Sequence, residues 1–330
     1  MGEKRGRAEL VPTPALTVRQ AAGRVFAEQV RELLSHEAGA RSGRDPEAVH
    51  QMRVATRRLR AALRVFRGYL MPRRRISRGL SWLAGRLGAV RDHDVIVLLL
   101  EERHLAALAG AERGRLETLL AGVKERRFAA QEKLEKKLRK GRYAKLAGAL
   151  EDFAARPRFG GDEDAMAARI LVDGIEAWGA RIANDPGMTA PAPAAEELHA
   201  LRIDVKRLRY VLDFHAASGG MAYEVERKLC RDLQDCLGEL HDHDMLLSWL
   251  ERGEDFFAGP WPVLHERLAE DRARLLRRFL RLRGRWRART RPESTVAPLA
   301  EPRFVSLEPA PVALRLIAPT RREVASLMLA

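Results

Sequence analysis

The chain has few of the residues that specify β-rich, disulfide-bonded or membrane-spanning proteins. Aromatic residues make up only 6% of its 330 residues, which disfavours a β-sandwich. Its two cysteines, Cys230 and Cys236, lie about 9 Å apart along a helix, too far for a disulfide, and no C-x-x-C pair indicates a metal or redox site. The longest apolar run, 95–100, is too short to cross a bilayer. Because the charged start also lacks the apolar core of a secretory signal, we expect a cytoplasmic protein without a membrane span.

Positive charge is abundant instead. The sequence contains 60 Lys and Arg against 45 Asp and Glu, which gives a formal net charge of +15. Such an excess predicts an acidic partner, namely nucleic acid, an anionic membrane or a free polyanion. Most of these residues are arginines, whose planar guanidinium can bind a phosphate at two oxygens. GC-rich coding would explain the number of arginines equally well, so their positions are more informative than their count.

The spacing of apolar residues is helical along nearly the whole chain, which predicts an all-α protein. The pattern predicts helices at about 16–37, 45–70, 74–88, 93–109, 111–139, 142–155, 162–184, 195–216, 221–238, 242–252 and 262–287. We expect one helical domain at 15–287, with a first bundle at about 15–155 and a second at about 162–287. A flexible N-terminus (1–14) and a Pro-rich C-terminal tail (288–330) are expected to flank it.

An internal repeat relates the two predicted bundles. The segment HQMRVATRRLRAAL at 50–63 matches HALRIDVKRLRYVL at 199–212, at an offset of 149 residues. A second block, LGAVRDHD at 87–94, matches LGELHDHD at 237–244, at an offset of 150 residues. Two separate blocks that match at nearly one offset predict a tandem duplication, in which each half is a bundle of about four helices.

The basic residues of each copy fall on one face of a helix, because they are spaced three or four apart. We call the first set the first basic stripe; it consists of His50, Arg53, Arg57, Arg60 and Arg64. The second basic stripe consists of His199, Arg202, Lys206 and Arg209. Apolar residues on the opposite side of the first helix, at 49, 52, 59, 63 and 66, predict its core face. Two such stripes, one in each half, predict a two-sided basic cavity that concentrates anions.

These blocks resemble the CHAD family, the conserved histidine α-helical domain. The resemblance rests on H-x-M-R-x-x-x-R-R-L-R, on L-G-x-V-R-D-x-D and on their second copies, and it covers about residues 16–287. It implies two pseudo-symmetric four-helix bundles that bind inorganic polyphosphate in a basic cavity, in some members at polyphosphate granules. A CYTH triphosphatase domain, which accompanies many members, is not expected, because the chain has no β-rich half and no E-x-E-x-K pattern at its start.

The stripes and the resemblance together assign candidate phosphate contacts. They are His50, Arg53, Arg57, Arg58, Arg60 and Arg64 in the first half and His199, Arg202, Lys206, Arg207 and Arg209 in the second. Neighbouring residues on a helix point about 100° apart, so one member of each adjacent basic pair is expected to flank the cavity or form a salt bridge. Further candidates are Arg73, Arg74, Arg75 and Arg78 in the first half and Arg227, Lys228 and Arg231 in the second.

Two acidic and histidine-rich clusters, 92–94 and 241–244, admit two interpretations. They contain ligand types suited to a metal, but consecutive residues on a helix fan out and cannot all reach one ion. We favour Asp92 and Asp242 as helix caps or as partners of the basic stripes, and we expect no metal and no cofactor. The isolated histidines at 36, 104, 215 and 265 are expected at surfaces or helix ends.

The sequence therefore predicts a polyphosphate-binding protein rather than an enzyme. It contains no nucleophile with an adjacent base and no phosphate-binding glycine-rich loop. Nucleic-acid binding is the alternative, although no helix-turn-helix, zinc-finger or RNA-recognition motif is found and the stripes contain few aromatic residues for base stacking. A metal-dependent phosphohydrolase is a third hypothesis.

Overall fold

The computed structural model describes residues 16–220, 222–252 and 259–289. The predicted N-terminus (1–14) and all but the first two residues of the predicted tail (288–330) lie outside this part of the chain. Its α-helices are α1 (Val18–Ser35), α2 (Glu37–Ser42), α3 (Pro46–Val65), α4 (Arg74–Arg103), α5 (Gly110–Leu138), α6 (Gly141–Ala155), α7 (Ala167–Ala183), α8 (Pro186–Thr189), α9 (Ala195–Ala217), α10 (Glu224–Arg252) and α11 (Pro262–Arg289). The described residues form isolated β-bridges but no strands, which confirms the all-α prediction. No helix among them is long and apolar enough to cross a bilayer.

Helix α3, which carries the first basic stripe, begins as its sequence predicts. The Asp45 side chain accepts a hydrogen bond from the Glu47 amide at 2.8 Å, and Pro46 occupies the first helical position. The apolar face predicted for this helix is buried at Val49, Met52, Leu59 and Phe66, while Leu63 packs partly buried against the same core. Burial of this face fixes the rotation of the helix and places the basic stripe on a different side.

The helices of the two halves pack in the same order. In the first half α1 packs on α3, α3 on α4 and α4 on α5, and in the second half α7 packs on α9, α9 on α10 and α10 on α11. Helices α3 and α9 also contact each other, and the rings of Phe66 and Phe214 stack with their centroids 5.9 Å apart. The two helices that carry basic stripes are therefore direct neighbours.

Two apolar clusters hold the molecule together, and each contains residues from both halves. The larger cluster includes α1, α3, α6, α7 and α9, and the smaller one lies around the C-terminal parts of α4 and α10 and the N-terminal parts of α5 and α11. On α4 the larger cluster ends at Val90 and the smaller begins at Ile96; on α10 the boundaries are Leu240 and Leu246. We call the residues between the clusters the polar layer; it comprises 91–94, 124–129, 241–244 and 269–274.

Two predicted breaks between helices are wrong. The sequence pattern predicted breaks between 88 and 93 and between 238 and 242, but α4 and α10 are continuous through both segments. Asp92 and Asp242 therefore do not cap helices. They lie in the middle of long helices, where Arg53 of α3 and Arg202 of α9 act as their cationic partners. A local sequence pattern cannot reveal such partners from other helices.

Candidate functional site

The two basic stripes lie close enough for their charges to act on each other. Burial, followed by the charges of Arg57, Arg202, Arg53 and Arg64, lowers the pKa of Lys206 to about 7. Three of these four arginines belong to α3, whereas Lys206 belongs to α9. The charge of Arg57 also adds to the effect of burial in lowering the pKa of Arg202. The structure thus brings together the stripes that the sequence predicted separately.

A histidine begins each stripe next to the polar layer. His199 Nδ1 lies 3.3 Å from His241 Nδ1, and the ring centroids are 4.6 Å apart. Burial and then the charge of Arg202 lower the pKa of His199, and burial and then the charge of Arg91 lower the pKa of His50. Arg91 and His241 occupy the same position in the two copies of the second repeat block. Each stripe therefore meets the equivalent point on the following long helix.

Asp92 and Asp242 act as electrostatic partners of the stripes. The charge of Asp92 opposes the lowering of the pKa of Arg53 that burial causes, and Asp242 does the same for Arg202. Burial raises the pKa of both carboxyl groups, and the same two arginines counteract this rise. Of the two roles that the sequence left open for these aspartates, the structure supports the partner role.

The next aspartate of each copy is bonded to an arginine of the polar layer. Asp94 Oδ1 accepts a hydrogen bond from Arg127 Nε at 2.8 Å, and Asp244 accepts one from Arg272. Arg127 lies on α5 and Arg272 on α11, so each bond fastens a long helix to the last long helix of its own half. These bonds fix the backbone that presents Asp92 and Asp242 to the stripes.

Several polar atoms on and beside the stripes are buried without a hydrogen-bond partner in the described part of the chain. They include His50 Nδ1, Arg57 Nε and the hydroxyl of Tyr210, which lies on α9. Burial lowers the pKa of Arg60 and of Arg64, and Tyr210 interacts electrostatically with both. A buried polar group without a partner costs about 1–3 kcal/mol. A phosphate oxygen or an ordered water would satisfy the free donors.

One flank of the second stripe is already neutralised by carboxylates. The buried Asp204 accepts hydrogen bonds from Arg207 Nη1 at 2.9 Å and from Arg181 Nε at 2.6 Å. Arg209 Nε lies 3.8 Å from Asp213. The predicted difference within the adjacent pair 206/207 is thus visible in the structure, where Arg207 forms a salt bridge and Lys206 faces the arginines of α3.

The remaining candidate residues are Arg58 and the basic residues near the starts of the long helices. Arg58 is half-buried on α3. The side chains near the starts of the long helices are exposed; they are Arg73, Arg74, Arg75 and Arg78 before and on α4, and Lys228 and Arg231 on α10. Arg227 donates hydrogen bonds to Glu224 at 2.9 and 2.8 Å. Their role in binding stays a prediction.

Sequence reasoning did not assign Arg91, His241 and Tyr210 to the site. The match of the second repeat block contained a usable signal for the first two residues, because it aligns Arg91 with His241 beside the aspartates. Tyr210 gave no such signal, because an aromatic residue at helical spacing is usually a core residue. Its ring is indeed buried; its relation to the stripes consists of its unpartnered hydroxyl and the guanidinium of Arg209, which lies 5.9 Å from the ring centroid.

Comparison with known proteins agrees with this fold. A family model described as the CHAD domain matches residues 24–251. The crystal structure of the CHAD domain from the plant Ricinus communis aligns with a TM-score of 0.59 at 24% identity, covering 87% of this chain and 96% of that one. PptA from Streptomyces chartreusis aligns with a TM-score of 0.63 at 16% identity, covering 81% of this chain and 99% of that one. No curated protein matches the chain. With more than half of its length matched by the family model, the chain belongs to the CHAD family.

Proposed function

We propose that this protein binds inorganic polyphosphate between its two basic stripes. The observation that carries the proposal is the effect of Arg53, Arg57 and Arg64 of α3 on the pKa of Lys206 of α9. Like charges held together in a partly buried place raise the free energy of the unliganded protein, and a polyanion between them would offset this cost. Polyphosphate carries about one negative charge per phosphate and no bases, so guanidinium groups are sufficient to recognise it.

The environment of Tyr210, an aromatic residue beside the stripes, favours polyphosphate over single-stranded nucleic acid. Recognition of unpaired bases relies on aromatic side chains whose faces are open for stacking. The Tyr210 side chain is buried, with 3% of its surface exposed, and it stacks within the protein on Phe214. Only its hydroxyl lacks a partner in the described structure. These features suit contact with phosphate oxygens better than contact with bases.

We propose binding without catalysis, either to dissolved polyphosphate or at the surface of polyphosphate granules. Asp92 and Asp242 are electrostatic partners of the stripe arginines Arg53 and Arg202, and not of a nucleophile. The protein should therefore release no phosphate from long polyphosphate in the presence of divalent cations. Phosphate release that is lost in Asp92→Asn would instead favour the phosphohydrolase hypothesis.

A competition experiment at several salt concentrations tests the choice of ligand. We expect polyphosphate of defined length to displace a labelled polyphosphate at a phosphate concentration about tenfold or more below that needed for single- or double-stranded DNA or RNA. The logarithm of the affinity should fall linearly with the logarithm of the salt concentration, because bound cations are released from the polymer. Equal displacement by nucleic acid at matched phosphate concentration would contradict the proposal.

A further inference from the structure

A second cluster of chemically competent side chains joins the polar layer to the C-terminus of α4. His104 is the C-cap residue of α4, while His243 of α10 and Asp271 of α11 belong to the polar layer. Their potential ligand atoms are all within 4.8 Å of one another. His104 Nε2 and His243 Nε2 lie 3.9 and 3.8 Å from Asp271 Oδ2. Three residues that are distant in sequence thus meet at one point.

The two histidines are almost fully buried, and their inward nitrogens lack partners. His104 is 2% and His243 is 1% exposed. Both Nε2 atoms are buried without a hydrogen bond in the described structure, and their distances to Asp271 are too long for one. The sequence pattern placed His104 at a helix end, which is correct, and allowed it to be at the surface, which is wrong.

The position of the ring proton on His243 leaves a lone pair on Nε2, opposite a carboxylate. His243 Nδ1 lies 2.8 Å from the carbonyl oxygen of Glu239, and a carbonyl can only accept, so this nitrogen donates. In the neutral ring, Nε2 is then an acceptor directed towards Asp271 Oδ2, which is also an acceptor. Two acceptors that face each other in a largely buried place repel unless a cation, a proton or a water lies between them. A backbone carbonyl that orients the ring in this way is the usual outer partner of a metal-bound histidine.

The cluster lies among positive charges and has one carboxylate oxygen available. The charges of Arg103, Arg267 and Arg274 act on His104. Asp271 keeps one oxygen for the cluster, because Arg274 pairs with its Oδ1 while Oδ2 faces the two histidines. The ligand set therefore contains the Nε2 atoms of the two histidines and one carboxylate oxygen.

We propose that His104, His243 and Asp271 form a binding site for one divalent transition-metal ion, with Zn²⁺ as the best-suited ion. Two imidazole nitrogens and one carboxylate oxygen are a common protein ligand set for zinc, and a water would complete a tetrahedron. The nearby arginines oppose any cation that is held by charge alone. They thus disfavour Mg²⁺ and Ca²⁺, which prefer oxygen ligands, and leave ions that bind imidazole nitrogen strongly.

The metal would fasten three helices at the level of the polar layer. It would join the end of α4 in the first half to α10 and α11 in the second, about the place where the smaller apolar cluster begins. The role is structural, and it is independent of polyphosphate binding. A ligand that binds only the folded state raises the melting temperature with its concentration, so Zn²⁺ should do so here.

The test is metal binding by the full chain after treatment with a chelator. We expect about one equivalent of Zn²⁺ to bind, and Co²⁺ in its place to give the visible absorption bands of a tetrahedral site. His104→Ala should reduce the affinity for Zn²⁺ about 100-fold or more, and Asp271→Asn about tenfold or more, with a changed Co²⁺ spectrum. His215→Ala, which removes another buried histidine outside the cluster, should leave both readouts unchanged.

A second control separates this cluster from the other close pair of histidines, His199 and His241. His241→Ala should retain the equivalent of Zn²⁺ and the Co²⁺ spectrum. Wild-type protein that takes up no Zn²⁺, or uptake that survives His104→Ala and is lost in His241→Ala, would overturn the proposal. If His104→Ala does not fold, the wild-type Co²⁺ spectrum together with Asp271→Asn decides the question.

Discussion

The double variant Arg53→Gln/Arg202→Gln, which replaces one arginine of each stripe, is expected to bind polyphosphate about 100-fold or more weakly. Its helical content should be retained. A hydrogen bond to a charged group contributes about 1.5–3 kcal/mol, so the loss of two such contacts corresponds to two or more factors of ten in affinity. Isothermal titration with polyphosphate of defined length measures the change, and far-ultraviolet circular dichroism measures the helical content.

The fold should tolerate these two substitutions because the neighbouring aspartates can become neutral. Burial raises the pKa of Asp92 and of Asp242, and the charges of Arg53 and Arg202 are the main effects that oppose it. Without the arginines, each carboxyl group can take up a proton and avoid a buried unpaired charge. A change to glutamate would place a second acid beside each aspartate, so glutamine is the cleaner substitution.

A matched control removes the same amount of charge elsewhere. Arg86 on α4 and Lys133 on α5 are both exposed. Arg86→Gln/Lys133→Gln lowers the net charge as much as the stripe variant does, but it should change the affinity by no more than about threefold. Equal losses in the two double variants would mean that binding depends on overall charge and not on the stripes.

Lys206 should make polyphosphate binding strongly dependent on pH above neutrality. In the unliganded protein its pKa is lowered to about 7 by burial and by Arg57, Arg202, Arg53 and Arg64. A bound phosphate favours the ammonium form and raises this pKa, so binding takes up a proton at any pH between the two values. The affinity should therefore fall as the pH rises above about 7, by up to about tenfold per pH unit.

Lys206→Arg isolates this effect, because the guanidinium stays charged over the whole range. The wild-type affinity should fall between pH 7 and pH 9 by more than about tenfold, and the variant should show a nearly flat profile there. The pKa values of His50 and His199 are lowered from their ordinary value, so these groups titrate below this window. A flat wild-type profile, or the same slope in Lys206→Arg, would show that Lys206 does not contact the ligand.

Much of the fold could be predicted from periodicity alone. The apolar positions of α3 identified its buried face, and the basic positions that recur three or four apart identified its stripe. Asp45 followed by Pro46 identified its first residue. These features are local, since each depends on residues within one helix. The same holds for the second copy, which the repeat identified.

The continuity of α4 and α10 could not be predicted in this way. Charged residues at 91–94 and 241–244 interrupt the apolar pattern and resemble a helix start. They are accommodated within the helices because Arg127 and Arg272, which lie on other elements, pair with Asp94 and Asp244. Such partners are more than 25 residues away along the chain, so no local pattern contains them.

The same distinction between local and long-range features applies to the residues of the candidate site. The stripe residues were predicted because their spacing is a property of one helix. The position of Arg207 against Asp204, and the exposure of Arg74 and Lys228, depend on how the helices pack. The cluster of His104, His243 and Asp271 was not predicted because its residues come from three helices and share no sequence motif.

The number of short polyphosphate molecules that bind to one protein molecule tests most directly whether the stripes form one shared site. The polyphosphate must be short enough for two separate sites each to bind one molecule. Isothermal titration of the wild type should give one bound polyphosphate molecule per protein molecule. Arg53→Gln alone and Arg202→Gln alone should each lower the affinity of that same site and leave the stoichiometry at one. A site shared between α3 and α9 would be contradicted if the wild type bound two polyphosphate molecules and each single variant lost one of them while binding the other unchanged.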